Sequence, residues 1–228
     1  MTEYKFPKDI NLDIQPYFVF SSFTWSALRK ANVDPRSVKT PVDTIILPMT
    51  TNGIIDNITH NWEEGAGLNA STFTDVFIKN TINKVVDSFG DLGKYISAEQ
   101  GAIVNDYAGL AYSGTGFRLF DFTFNLAPKN AAESQMLQNL IKAFKRNSLP
   151  EYAGWKILYP NFWHVQIVFP HKKDIVKIKN CVLTSIISSY FPDNNMTILK
   201  DGNPVKQEMT LNFKELQKID RRDYQDET

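Results

Sequence analysis

Residues 117–126 read Phe-Arg-Leu-Phe-Asp-Phe-Thr-Phe-Asn-Leu, and they decide the fold class. Phe120, Phe122, Phe124 and Leu126 alternate with Asp121, Thr123 and Asn125, so a period of two puts the large apolar side chains on one face and the polar ones on the other. A helix would scatter the same residues around its circumference. The stretch therefore predicts a half-buried strand, one face on a core and one toward water, in an antiparallel sheet. The alternation returns within a strand expected over 206–219, where Met209, Leu211 and Phe213 interleave with Thr210, Asn212 and Lys214. Leu216 and Ile219 leave that register, which a β-bulge near Lys214-Glu215 accounts for.

Moving outward from these two strands, Asn130 with Glu133 three residues later forms a capping-box pattern. It opens a helix whose Met136, Leu137, Leu140, Ile141 and Phe144 make one apolar stripe. Lys142, Lys145 and Arg146 sit toward its C-terminal end, as the helix dipole favours, and Pro150 stops it. Further strands are expected at 155–159, 162–169 and 177–190, with Phe191-Pro-Asp-Asn-Asn and Asp201-Gly-Asn-Pro as turns. Upstream, residues 42–49 and 54–62 read as a hairpin across Thr51-Asn52-Gly53. Helical spacing of Phe77, Ile78, Ile82, Val85, Val86 and Phe89 makes 65–116 a helical insertion on the sheet. Residues 1–40 show neither period and carry crowded aromatics before a short helix at 26–32, so they read as an N-terminal arm docked on its own domain or a neighbour. The organisation expected is an arm (1–40), one domain (41–224) containing the insertion, and a C-terminal tail (225–228).

The chain has 228 residues, 25 Lys+Arg against 25 Asp+Glu, 43% hydrophobic and 13% aromatic residues. That balance excludes a disordered segment and a domain with a general positive field for nucleic acid. A domain of this size buries roughly 70% of its extended surface without metal or disulfide staples. Its one cysteine, Cys181, excludes a disulfide framework and a Cys-based zinc site, and fits a reducing compartment. No apolar run approaches the ~18 residues of a membrane span. The N-terminal acidic residues are unlike a signal peptide, so a soluble, cytoplasmic chain is expected when it is made.

The residues supply no recognisable catalytic constellation. His60, His164 and His171 lack metal-ligand spacing, and His60 with Glu63 and Glu64 would be scattered over both faces of a strand. Gly114-Thr-Gly116 precedes a strand, whereas a phosphate cradle links a strand to a helix. Ser113 has no GxSxG context, and Cys181 reads as a small buried apolar residue. No cofactor and no metal are expected. What stands out is aromatic sequence in loop-like places: Phe18, Phe20, Phe23, Trp25, Trp62, Tyr112, Phe162 and Trp163 are the candidate subunit interface.

The order of these segments resembles the baseplate tail-tube junction proteins, or tail tube initiators, of contractile-tailed bacteriophages. The matching blocks are Ile45-Ile-Leu-Pro-Met49, Thr59-His-Asn-Trp62, residues 116–133, Tyr159-Pro-Asn-Phe-Trp-His-Val165, Cys181-Val-Leu-Thr-Ser-Ile186 with Pro192-Asp-Asn, and residues 204–223. They cover about half the chain. The resemblance implies a mainly β (α+β) fold, an antiparallel β-sandwich or barrel of two packed sheets with a flanking helix. It implies a structural virion protein and no enzyme: six copies close into a ring that joins the baseplate hub to the tube and templates tube polymerisation. Its implied partners are itself as a homohexamer, the hub protein, the next initiator ring or the tail tube protein, and the tape measure and sheath. DNA would pass through the lumen without specific binding, with Glu208, Thr210, Asn212 and Lys214 as candidate lumen-facing residues, and there would be no membrane contact. The implied location is the tail baseplate of the virion, with host cytoplasm during assembly. Two other readings are an ordinary tail tube or tail terminator subunit, and a β-sandwich carbohydrate-binding module or enzyme using His60, Glu63, Glu64 and the tryptophans, Trp62 among them.

Overall fold

The computed structural model describes residues 1–25, 40–63, 111–170, 175–193, 196–200 and 202–224. Two compact units are present, one formed by 1–58 with 117–228 and the other by 59–116. The first holds a mixed seven-stranded sheet of order β1-β3-β2-β9-β10-β11-β6. Its strands are β1 (Thr2–Lys5), β2 (Tyr17–Phe23), β3 (Asp43–Pro48), β6 (Leu119–Leu126), β9 (Phe162–Val168), β10 (Cys181–Tyr190) and β11 (Gln207–Glu215). All neighbouring pairs are antiparallel except β1 with β3. A separate hairpin, β7 (Glu151–Ala153) and β8 (Lys156–Leu158), follows the helix α1 (Ala131–Ser148). In the other unit, β4 (His60–Glu63) pairs with β5 (Ala111–Thr115). No helix among the described residues is long and apolar enough to cross a membrane.

The fold is mainly β with one flanking helix, as the alternating stretches lead one to expect. The two packed sheets expected are one sheet that folds over on its core. β9 and β10 share a single paired position, Trp163 with Cys181, so the sheet bends where its ladder is thinnest. Strands far apart in sheet order consequently meet across the core: the Phe18 ring of β2 lies 4.8 Å from Phe122 of β6, and Phe20 stacks on Phe213 of β11 at 5.6 Å. In β6 and β11 the alternating apolar residues are all fully buried, and their polar neighbours lie outward.

Residues 1–25 correct the reading of an N-terminal arm. β2 lies between β3 and β9 in the middle of the sheet, and β1 pairs with β3. Short strands separated by turn residues hide both periods from a sequence window, and the aromatics that looked idle are core. Residues 54–62 also differ from expectation: they do not return along β3, and the strand at His60–Glu63 pairs with β5. The expected turn is present, with Gly53 at φ 72 and the Thr50 hydroxyl donating to its carbonyl at 2.8 Å. From it, Asn52 bonds across to the edge strand β6, accepting from the Thr123 N–H at 3.2 Å and donating to the Asp121 carbonyl at 3.0 Å. The bulge lies on β10, between Leu183 and Ser185, and not at Lys214-Glu215. The expected helices at 26–32 and over most of 65–116, His171, Glu64 and the 225–228 tail lie outside the described residues.

The helix begins where the capping pattern places it. The Asn130 side chain accepts from the Glu133 N–H at 2.9 Å, while the Glu133 carboxylate reaches one residue further back, to the Lys129 N–H at 2.8 Å. Its buried stripe drives Phe144 against Trp163 at 5.0 Å and Phe20 at 5.4 Å. At its C-terminal end Arg146 and Asn147 both donate to the buried Asp43 carboxylate of β3 at 2.7 Å. Asn147 also accepts from the Asn161 side chain at 2.6 Å, so helix end, β3 and the approach to β9 are held by one polar network.

Candidate assembly surfaces

The eight aromatic interface candidates separate by burial. Phe18, Phe20, Phe162 and Trp163 are completely buried and Phe23 nearly so, all within this chain's own core, so they offer no surface to a neighbour. The error is physical in origin: an aromatic in a short strand and one on a surface loop have the same sequence signature. Trp25 is half-buried, its indole N–H donating to the Pro160 carbonyl at 2.6 Å. Trp62 and Tyr112 are exposed in the 59–116 unit, with ring centroids 5.2 Å apart. There the Tyr112 hydroxyl bonds to the Thr115 hydroxyl, and Gly116 closes the base through its N–H to the Thr59 carbonyl at 2.8 Å.

The four candidate lumen residues share one face of β11. Register sets Glu208 between Ser189 and Asn125, Thr210 between Ile187 and Thr123, Asn212 between Ser185 and Asp121, and Lys214 between Val182 and Leu119. Directly opposed residues share a face, so three strands present a common surface of hydroxyl and amide groups interrupted by Leu119, Val182 and Ile187, of which Leu119 and Ile187 are exposed. Its charges are Asp121 and Glu208 against Lys214. The hydroxyls of Thr123 and Thr210 bond at 3.1 Å, and the sheltered Asn212 Oδ1 has no hydrogen-bond partner. This is a sheet face that is polar along β11 and mixed polar and apolar on the strands either side, backed by a phenylalanine core.

Two features escaped the sequence reading. One is a buried clamp: Arg118 donates to Glu215 at 2.7 and 2.9 Å, to Asp56 at 3.0 Å and to the Lys177 carbonyl at 2.8 Å. Burial alone would lower the guanidinium's pKa; the hydrogen bonds and charges of Glu215 and Asp56 more than reverse that. Because Asp56 precedes residue 59 and Arg118 follows residue 116, one guanidinium ties the two flanking segments of the first unit to each other and to β11. The other is the pairing of the strand expected at 155–159, observed as β8, with β7 into a hairpin whose side chains are exposed throughout. Pro150 and Pro160 bracketing three aromatics and Gly154 were the available signal.

Among the described residues, the histidines, the cysteine and the acidic groups do not come together as a constellation for group transfer. No cluster of three potential metal-ligating side chains occurs among the described residues. Cys181 is buried, and burial pushes its thiol far above the ordinary range, which keeps it protonated. His164 lies on β9, while His60 is exposed on β4 with its Nδ1 3.4 Å from the Thr115 hydroxyl. Comparison with family models gives a match over residues 19–222 to one described as tail-tube assembly protein. No curated protein matches the chain.

Proposed function

Because the chain belongs to the tail-tube assembly protein family, and is thus a structural phage-tail component rather than an enzyme, we propose that it forms a hexameric ring at the base of the tail tube. In this role it joins the baseplate hub of a contractile tail to the tube and offers its far side as the template for tube polymerisation. The observation that carries the reading is the outer face of β10, β11 and β6, polar along the whole of β11 and predominantly polar on its two neighbours. A sheet with one apolar and one polar face is what a ring around an aqueous bore requires, and nearly balanced charge there neither binds nor strongly repels a passing DNA backbone.

Templating needs no chemistry. A preformed ring replaces the improbable simultaneous meeting of several subunits by single additions to a prepared surface, and closure removes free sheet edges. Glu208, Thr210, Asn212 and Lys214 are assigned to the bore in this proposal. The neighbours are the hub protein on one side and an initiator ring or the tail tube protein on the other, with tape measure and sheath adjacent; assembly takes place in the host cytoplasm.

Electron microscopy of the purified virion tests it. The expected density is a single six-fold ring between hub and tube. Many stacked copies along the tail would identify an ordinary tube subunit, and a ring at the head-proximal end a terminator; either result overturns the junction role.

A further inference from the structure

We propose that the turn at 50–53 is an edge cap. It lies where a further strand would pair with β6, and it holds the free chain back from strand addition there by a second copy of this chain. The inference concerns the unassembled chain and does not depend on where a ring sits in the tail.

The seven-stranded sheet has two outer strands, β1 and β6, and an outer strand offers main-chain groups that another strand can take up. β1 is blunted by its own residues. It is four residues long, and its Thr2 N–H, like that of Phe6 just beyond it, turns to the β3 side, donating to the carbonyls of Val42 and Ile46. The main-chain groups of Glu3 and Lys5 therefore face away from β3 beside charged side chains, and Pro7 follows two residues on. β6 has none of these devices. It runs for eight residues, Leu-Phe-Asp-Phe-Thr-Phe-Asn-Leu, without Lys, Arg or Pro, and pairs with β11 without a bulge. Such an edge pairs with another chain unless something covers it.

The turn covers its middle. Thr51 donates to the Thr123 carbonyl through its N–H at 2.9 Å and through its hydroxyl at 3.1 Å. Asn52 completes the pattern with its side chain, Oδ1 accepting from the Thr123 N–H at 3.2 Å and Nδ2 donating to the Asp121 carbonyl at 3.0 Å. A carboxamide carries a carbonyl acceptor and N–H donors on one plane, as a peptide group does. It thus reproduces the ladder of a neighbouring strand without being one. Thr51, Asn52 and Gly53 are exposed, so another strand can compete for the same bonds.

The competitor follows from the symmetry of what is covered. Asp121 and Thr123 both direct main-chain groups away from β11, and they stand either side of Phe122. Two copies of β6 related by a two-fold axis at Phe122 would set each Asp121 opposite the other copy's Thr123, with N–H···O bonds exchanged in both directions. Leu119 would then oppose Asn125, and no like charges would meet along the strand. The turn occupies the central bonds of that register.

The test uses the purified full-length protein. Asn52→Ala should self-associate in sedimentation at a concentration at least tenfold below the parent's, with the parent's circular dichroism. By amide exchange, its Thr123 N–H should lose protection in dilute solution, and the Asp121 and Thr123 amides should gain protection on association. Adding Thr123→Pro, which removes an N–H that β11 does not use and that an edge strand can spare, should return association to the parental level. Association of Asn52→Ala equal to the parent's, or association that leaves the 121 and 123 amides unprotected, overturns the proposal. So does a folded double variant that still associates, or loss of native dichroism in Asn52→Ala, which would make the turn a foundation of the fold. If the double variant does not fold, the exchange pattern of Asn52→Ala decides. A virion reconstruction lacking the junction ring would leave these outcomes unaltered.

Discussion

Arg118 illustrates how a single residue holds distant parts of the chain together at a physical cost. Its side chain is almost fully buried, and it satisfies Glu215 with two hydrogen bonds while its guanidinium lies 5.2 Å above the Phe120 ring. The Lys179 N–H also donates to Glu215, at 2.8 Å, so the carboxylate is fully engaged. Changing Arg118 to Met removes its charge and leaves Glu215 buried with that one amide. We expect a loss of about 3–5 kcal/mol, measured by urea unfolding. Pairing it with Glu215→Met should recover most of that loss, because neither charge then needs to be stripped of water. A double variant no more stable than Arg118→Met would show that the pair earns its place by attraction and not by mutual neutralisation. Nothing in the local sequence announces this clamp: the partners lie 97 positions apart, and Arg118 reads only as the residue before a strand.

Elements were legible in proportion to how locally they are determined. The helix is set by a cap, a stripe and a stop, all within twenty-odd neighbouring residues, and it forms at Ala131–Ser148 as those signals require. Asn130→Ala should therefore destabilise by about 1 kcal/mol, read from the unfolding midpoint, because the Glu133 N–H loses its acceptor. Asn130→Asp should restore it; failure of that variant to do so would mean that the cap's contribution lies elsewhere than in this bond. β6 and β11 were equally legible, since burial on one face writes a period of two into the residues. β2 was not. Its Tyr17, Phe18, Phe20 and Phe23 alternate imperfectly because the strand is central, flanked on both sides and covered in part on its outer face. The β7–β8 hairpin shows the opposite problem: its apolar residues resemble a core strand in composition and yet face water. An apolar residue on its own core and one that faces water are written with the same letters, so only the fold separates them.

At the scale of the whole molecule, the core and the 59–116 excursion obey different constraints. Every buried hydrophobic residue of the core among the described residues lies outside 59–116, and the contact pattern divides the chain at the same points. The ends of the excursion are already together: the Gly116 N–H meets the Thr59 carbonyl at 2.8 Å, and just outside them Asp56 is paired with Arg118. A variant in which a short Gly-Ser linker joins Ile58 to Phe117 keeps that ion pair and the entire sheet. It also shortens the loop that folding must close, and each halving of loop length favours the folded state by about 0.6 kcal/mol. The variant should unfold in one cooperative transition, at least as stable as the parent's first unit, with amide protection retained in β2, β6, β9 and β11. A non-cooperative melt, or a dye-binding state with native-like far-ultraviolet dichroism and no fixed tertiary packing, would mean that the first unit does not fold on its own. If the sheet survives, loss of the truncated chain from assembled tails assigns 59–116 to assembly, because a folding defect will already have been ruled out.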